Sequence, residues 1–176
     1  VDIPVYIMQG NHAKLANKKT NKWETSDSKD FSDWFYSNRK SEQTNRIIRY
    51  LKAWRDYNNI DFSSIELTIL VTENHIENDD DGISLKSTVD NIYSHLYIYR
   101  RIDKPVAPCE NLLDGKNIDL LIKSIKQLKD DLNTAYNSSS KNRATTILRE
   151  QFGDRFPIAG DSNTQEYKWS PKPWGN

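Results

Sequence analysis

The chain is poor in cysteine, methionine, glycine and proline, with one Cys, one Met, six Gly and six Pro in 176 residues. A lone Cys109 closes no disulfide within the chain and builds no multi-cysteine zinc site, which fits a reducing, cytoplasmic setting. Among the few glycines there is no phosphate loop of the Walker or dinucleotide type, so ATPases and dehydrogenases of the common designs are excluded. Excess charge of one sign is also missing. The 25 basic and 25 acidic side chains cancel, which argues against a strong nucleic-acid binder and against an acidic solvating tail. No run approaches the roughly 20 apolar residues of a membrane span, and no signal-like segment opens the chain, so no membrane association is expected. There is no internal repeat.

What is present points to a folded, mainly helical body. Hydrophobic residues reach only 36% and charged ones 28%, yet aromatics make up 11%, including five Trp and nine Tyr. That length and aromatic content suit one domain with a single core. The opening VDIPVYIM, residues 1–8, reads as a buried strand. A solitary strand cannot satisfy its own backbone, and no run of comparable quality follows, so a sheet-bearing segment is expected to precede it. Residues 9–25 read as an exposed loop. Six helices are then expected. The first spans about 27–37, with Phe31, Trp34 and Phe35 on one face; the second is capped by Ser41 and runs to about Asn58 with Ile47, Ile48, Leu51 and Trp54 inward. The third starts at a capping box of Ser63 and Glu66 and carries Ile65, Ile69, Leu70 and Ile76. Asn78 to Gly82 separates it from a fourth with Leu85, Val89, Ile92, Tyr93 and Leu96. Pro105 and Pro108 impose an extended loop. A fifth is capped at Asn117, and a sixth runs from about Ala144 to Phe152 and stops at Gly153. Residues 158–176 read as a loosely held tail.

Two constellations could carry chemistry. Asp2, between Val1 and Ile3, is a carboxylate on an apolar strand, where burial without a cation or donors is costly. It is either a ligand in an oxygen-rich magnesium site or a solvated terminal acid. Lys52 on the second helix and Ser63-Ser64 at the start of the third would place a cation beside free N–H groups and a favourable helix dipole, as triphosphate binding requires. The simpler alternative is a cap and a surface lysine. Asp79, Asp81 and Gly82 do not make a calcium loop, because Thr88 stands where a bidentate Glu is required. His12, His75 and His95 share no ligand spacing, and His75 reads as a cap or surface residue.

Read in order, VDIPVY, TSDSKDFSDWF, RIIRYLKAWRD, the FSS helix start, KPVAPCENLL and LREQFGDRFP resemble the C-terminal part of the bacterial cGAS/DncV-like nucleotidyltransferases (CD-NTases), which make cyclic oligonucleotide signals in antiphage defence. The pieces cover most of residues 1–157, and Ser-Asp-x-Lys with Trp-Phe looks most like the DncV branch of cyclic GMP-AMP synthases. The resemblance implies that residues 1–8 are the last strand of a polymerase-beta-like α/β core and 9–157 a helical nucleotide-binding lobe. It implies Asp2 as catalytic acid and ligand of two Mg2+ ions, Lys52, Ser63 and Ser64 as contacts of the ATP or GTP triphosphate, and Asn111 or Asp114 as a residue facing a base.

The family's Gly-Ser element and Asp-x-Asp pair, which precede the third acid, are absent. Because one carboxylate cannot build a two-metal site, the chain is expected to be inactive unless a companion N-terminal segment completes it. A further expectation from the resemblance is a ubiquitin-ligase-like partner recognising the C-terminus. The rival reading is a non-enzymatic helical module using Arg46, Arg49, Arg55, Arg100 and Arg101 on an anionic partner.

Overall fold

Apolar residues spaced three and four apart, each run preceded by a side chain able to cap it, set the helices of this chain. The computed structural model describes residues 5–9, 12–17, 21–26, 28–106, 109–154, 156, 157 and 159. In order they form β1 (Tyr6–Gln9), β2 (His12–Asn17), β3 (Lys22–Ser26), α1 (Ser28–Asn38), α2 (Glu42–Asn58), α3 (Ser64–Asn74), α4 (Asp81–Tyr99), α5 (Ile118–Tyr136) and α6 (Lys141–Phe152). The mainly helical class and the six helices agree with the sequence.

The sheet does not. Where a loop was expected over 9–25, β2 and β3 continue β1 as a three-stranded antiparallel meander, with Ile7 opposite Lys14 and Ala16 opposite Trp23. The first strand therefore has partners after all. HAKLAN and KWETS carry too many polar residues to show the alternation of a half-buried strand, and pairing of their backbone groups overrides that weak pattern. Strand alternation puts Val5, Ile7, Ala16 and Trp23 on one face, where Val5 is 56% and Trp23 45% exposed. Among the described residues the strands contact one another and no helix. Asp2 and the tail beyond 159 lie outside the described residues.

The helices share one core. Ile47, Leu51 and Trp54 of α2 meet Leu67 and Leu70 of α3, Val89, Ile92 and Leu96 of α4, and Leu121, Ile125 and Leu128 of α5. Phe31, Trp34 and Phe35 of α1 and Leu148 and Phe152 of α6 pack against its edge. Each fully buried Leu or Ile contributes about 1.5–3 kcal/mol relative to exposure. Ser41, Ser63, Asn117 and Ser140 cap α2, α3, α5 and α6. Asp80 accepts from the N–H groups of Gly82 and Ile83 and so starts α4, which is what the acidic turn does instead of binding calcium. Helix α6 ends at Gly153, whose φ of 81° and ψ of −177° belong to a region that only glycine enters at low cost. A Cβ there would also lie 2.8 Å from the Tyr57 ring.

Helix α3 stops at Asn74, earlier than a stripe reaching Ile76 suggests, because His75 turns extended and dives inward. His75 is fully buried rather than at the surface. Its Nδ1 lies 2.9 Å from Thr44 Oγ1 of α2 and its Nε2 3.1 Å from Ser84 Oγ of α4. The Ser84 hydroxyl donates to the carbonyl of Ile76, so Ser84 Oγ accepts from Nε2–H and Nδ1 accepts from Thr44. Beside it, Asp81 accepts from Arg46, Gln43 and Tyr50 of α2. Chiefly through Arg46, these donors pull its carboxyl down to about 2. At the other end of α2, the Trp54 indole N–H donates to Gln151 of α6 and Asn58 Nδ2 donates to the Gln151 carbonyl. Helix α2 is thus pinned along its length.

Candidate functional site

The turn from α2 to α3 builds the site. Asn59 closes α2 in the left-handed region at φ 51°, and buried Phe62 anchors the turn. Ser63 then accepts from Glu66 N while Glu66 Oε2 accepts from Ser63 N at 2.8 Å, the expected capping box. Two orphan donors of the first turn are satisfied this way. The N–H groups of Ser64 and Ile65 find no acceptor among the described residues and point outward with the positive end of the helix dipole.

Two cations stand at this end, with a third one helical turn back on α2. Arg55 Nη1 donates to the Phe62 carbonyl and to Ser64 Oγ, both at 3.1 Å, while its Nη2 pairs with Asp56 at 2.7 Å. Lys116, from the loop before α5, reaches the Asp61 carbonyl at 2.7 Å, Asp61 Oδ1 at 3.2 Å and Glu66 Oε2 at 3.0 Å. Lys52 precedes Arg55 by one helical turn and lies on the same face. It is half-buried and has no hydrogen-bond or ion-pair partner among the described residues. Burial first, and then the charge of Arg55, push its pKa down, with Asp56 opposing. An ammonium left partly dehydrated and unpaired is poised for an anion.

Arg55 bonds Ser64, and Lys52 stands one helical turn back from Arg55 on the same face of α2, so of the expected grouping the contact on the page is the one made by Arg55. Ser63 spends its hydroxyl on the cap, leaving exposed Ser64 as the hydroxyl that faces outward. Asn111 and Asp114 belong to the same loop as Lys116. Asn111 Oδ1 accepts from the N–H groups of Ile102 and Leu113, and its amide donates to Asp114 at 2.6 Å, so both side chains hold the loop in shape. Among the described residues no three His, Cys, Asp or Glu are grouped to hold a metal ion. Sequence reasoning missed Lys116 and read Arg55 only as part of an arginine-rich surface, not as a partner of Ser64. For Arg55 the signal was its spacing of three from Lys52; for Lys116, fifty residues from Glu66 along the chain, there was none. A shallow polar depression of about 480 Å3 lies elsewhere, at the turn from α5 to α6, lined in part by Asn133, Asn137 and Arg143.

No family model matches the sequence. The fold matches several solved structures. A variant of the Vibrio cholerae di-nucleotide cyclase DncV, with ATP, GTP and 5MTHFGLU2, aligns at TM-score 0.72 and 23% identity over 86% of this chain and 42% of that one. DncV of the same organism in complex with the linear intermediate 5′ pppA(3′,5′)pG aligns at 0.73 and 24% over 88% and 47%. CdnC of Escherichia coli with ATP aligns at 0.65 and 15% over 86% and 58%. The chain shares the fold of part of these proteins and spans about half their length.

Proposed function

We propose that this chain is the nucleotide-gripping helical lobe of a cyclic oligonucleotide synthase of the CD-NTase kind. The observation that carries the reading is Arg55 bonded to Ser64 beside the free N–H groups of the α3 start, with half-buried Lys52 one turn back on the same face of α2, in a fold shared with synthases solved with ATP and GTP. Such an end suits the triphosphate of an NTP, since helix N-terminus and ammonium both stabilise phosphate oxygens. In the parent reaction a ribose hydroxyl attacks an α-phosphate, a new P–O ester bond forms and the bond to pyrophosphate breaks. Lys52 and Ser64 position the donor triphosphate; Asn111 or Asp114 is proposed to face a base. Asp2 is proposed as a catalytic carboxylate, a metal ligand that also contributes as a base. The further acids that two Mg2+ ions need would come from a companion catalytic segment, without which the chain is inert.

The reading is tested by supplying that segment. Mixed with it, the chain should convert radiolabelled ATP and GTP to a phosphatase-resistant product, and Asp2→Ala should abolish conversion. Product formed at an undiminished rate by the Asp2→Ala chain would overturn the assignment. The alternative reading is a non-enzymatic helical module presenting Arg46, Arg49, Arg55, Arg100 and Arg101 to an anionic partner. Arg46, Arg55, Arg100 and Arg101 are each engaged with a carboxylate, on Asp81, Asp56, Asp119 and Asp103 respectively.

A further inference from the structure

At the α3 start, two cations stand among three carboxylates, Arg55 and Lys116 against Asp56, Asp61 and Glu66, with Lys52 one turn back on α2. The balance is not symmetric. Asp56 and Asp61 are largely exposed, so solvent screens them, whereas the Glu66 side chain is only 4% exposed and sits at the third position of the helix. A buried negative charge one turn inside a helix N-terminus opposes any phosphate arriving there. Its sole ionic partner among the described residues is Lys116, 3.0 Å away and itself 19% exposed. The same ammonium also holds the Asp61 carbonyl, so it fixes the chain just before the cap.

We propose that the Lys116–Glu66 ion pair sets the phosphate affinity of the α3 start, Lys116 acting as a positioning and charge-balancing residue and Glu66 as the built-in opposing charge. This rests on the triphosphate reading of the same site and adds how strongly that site holds its ligand. Two effects separate a charge role from a merely structural one. If the pair only holds the fold, breaking it from either side weakens binding. If it sets the local charge, the two sides act in opposite directions, because Glu66→Gln keeps an acceptor for Ser63 N while removing the negative charge, and Lys116→Met leaves that charge unopposed.

The experiment is titration of the full chain with inorganic tripolyphosphate and, separately, ATP, at low ionic strength. Lys116→Met should weaken both by about fivefold and Glu66→Gln should tighten both by about threefold, the scale of one charge a few ångströms from a partly solvated anion. Lys116→Arg should bind like the parent, and the double variant Lys116→Met/Glu66→Gln should return to within about twofold of it. The differences should shrink at high salt, where such charges are screened. Weaker binding by Glu66→Gln and Lys116→Met alike, or no change in either, overturns the proposal while a loss of binding in Lys52→Met leaves the triphosphate reading standing. If the unaltered chain binds neither probe, that reading falls and takes this one with it. Circular dichroism melts of each variant identify one that has failed to fold, in which case Glu66→Gln and Lys116→Arg, both near-isosteric, carry the comparison.

Discussion

Lys52 is the residue on which a pH signature can be read. Its pKa is depressed from the ordinary 10.5 by burial and by Arg55, so it sheds its proton at a lower pH than a free lysine. Affinity for tripolyphosphate or ATP should therefore fall as pH rises through a value below 10.5, measured by calorimetric titration in steps above pH 7. Lys52→Arg, charged throughout that range, should flatten the profile, while Lys52→Met should bind about tenfold more weakly at pH 7 and show no such step. Arg55 cannot produce the effect, because a guanidinium stays protonated. A profile that is unchanged in Lys52→Arg would place the titrating group elsewhere.

The elements divide into those whose signals are local and those whose signals are not. Caps at Ser41, Ser63 and Asn117, and the stop at Gly153, depend on residues a few positions apart, so those helix ends were legible in the sequence, whereas α6 starts at Lys141 after its Ser140 cap, earlier than the expected Ala144. Strands β2 and β3 were not legible, because their pairing is between segments whose own patterns are polar. Nor was the burial of His75, which depends on Thr44 of α2 and Ser84 of α4 meeting it from either side. That cluster gives the element-scale prediction. His75 is neutral as bonded, and burial lowers its pKa from the ordinary 6.5, with Lys40 adding to the effect and Glu77 and Asp81 opposing. Below pH 6.5 the unfolded chain binds a proton there that the folded chain resists, so stability falls as pH drops. Asp81 acts lower: its contribution is complete above 3.8 and is lost as pH falls toward about 2. Thermal melts should show two separate declines, and His75→Gln, less stable at pH 7, should lack the upper one.

At the scale of the whole molecule, the helical body and the sheet differ in how they are held. The helices share a continuous core, whereas β1, β2 and β3 are supported by one another and expose Val5, Ile7 and Trp23. A three-stranded sheet without a covering layer opens readily. Hydrogen exchange should therefore be fast across β1–β3 and slow in α2–α5. Equal protection of sheet and helices in the chain alone would contradict this account. The identity to the DncV structures is low, 23–24%, yet the architecture is retained, as expected where a core tolerates exchange of one apolar residue for another of similar volume.

Helix α2 runs 17 residues, a rod of about 25 Å at 1.5 Å per residue. One tip bears Gln43, Thr44 and Arg46, locked to the α3–α4 corner; the far portion bears Lys52 and Arg55. Because Trp54 and Asn58 tie that far portion to α6, acid that unlatches the His75 end should loosen the α3–α4 corner first and leave the cationic stretch in place, so ligand capture should outlast the first acid-induced change.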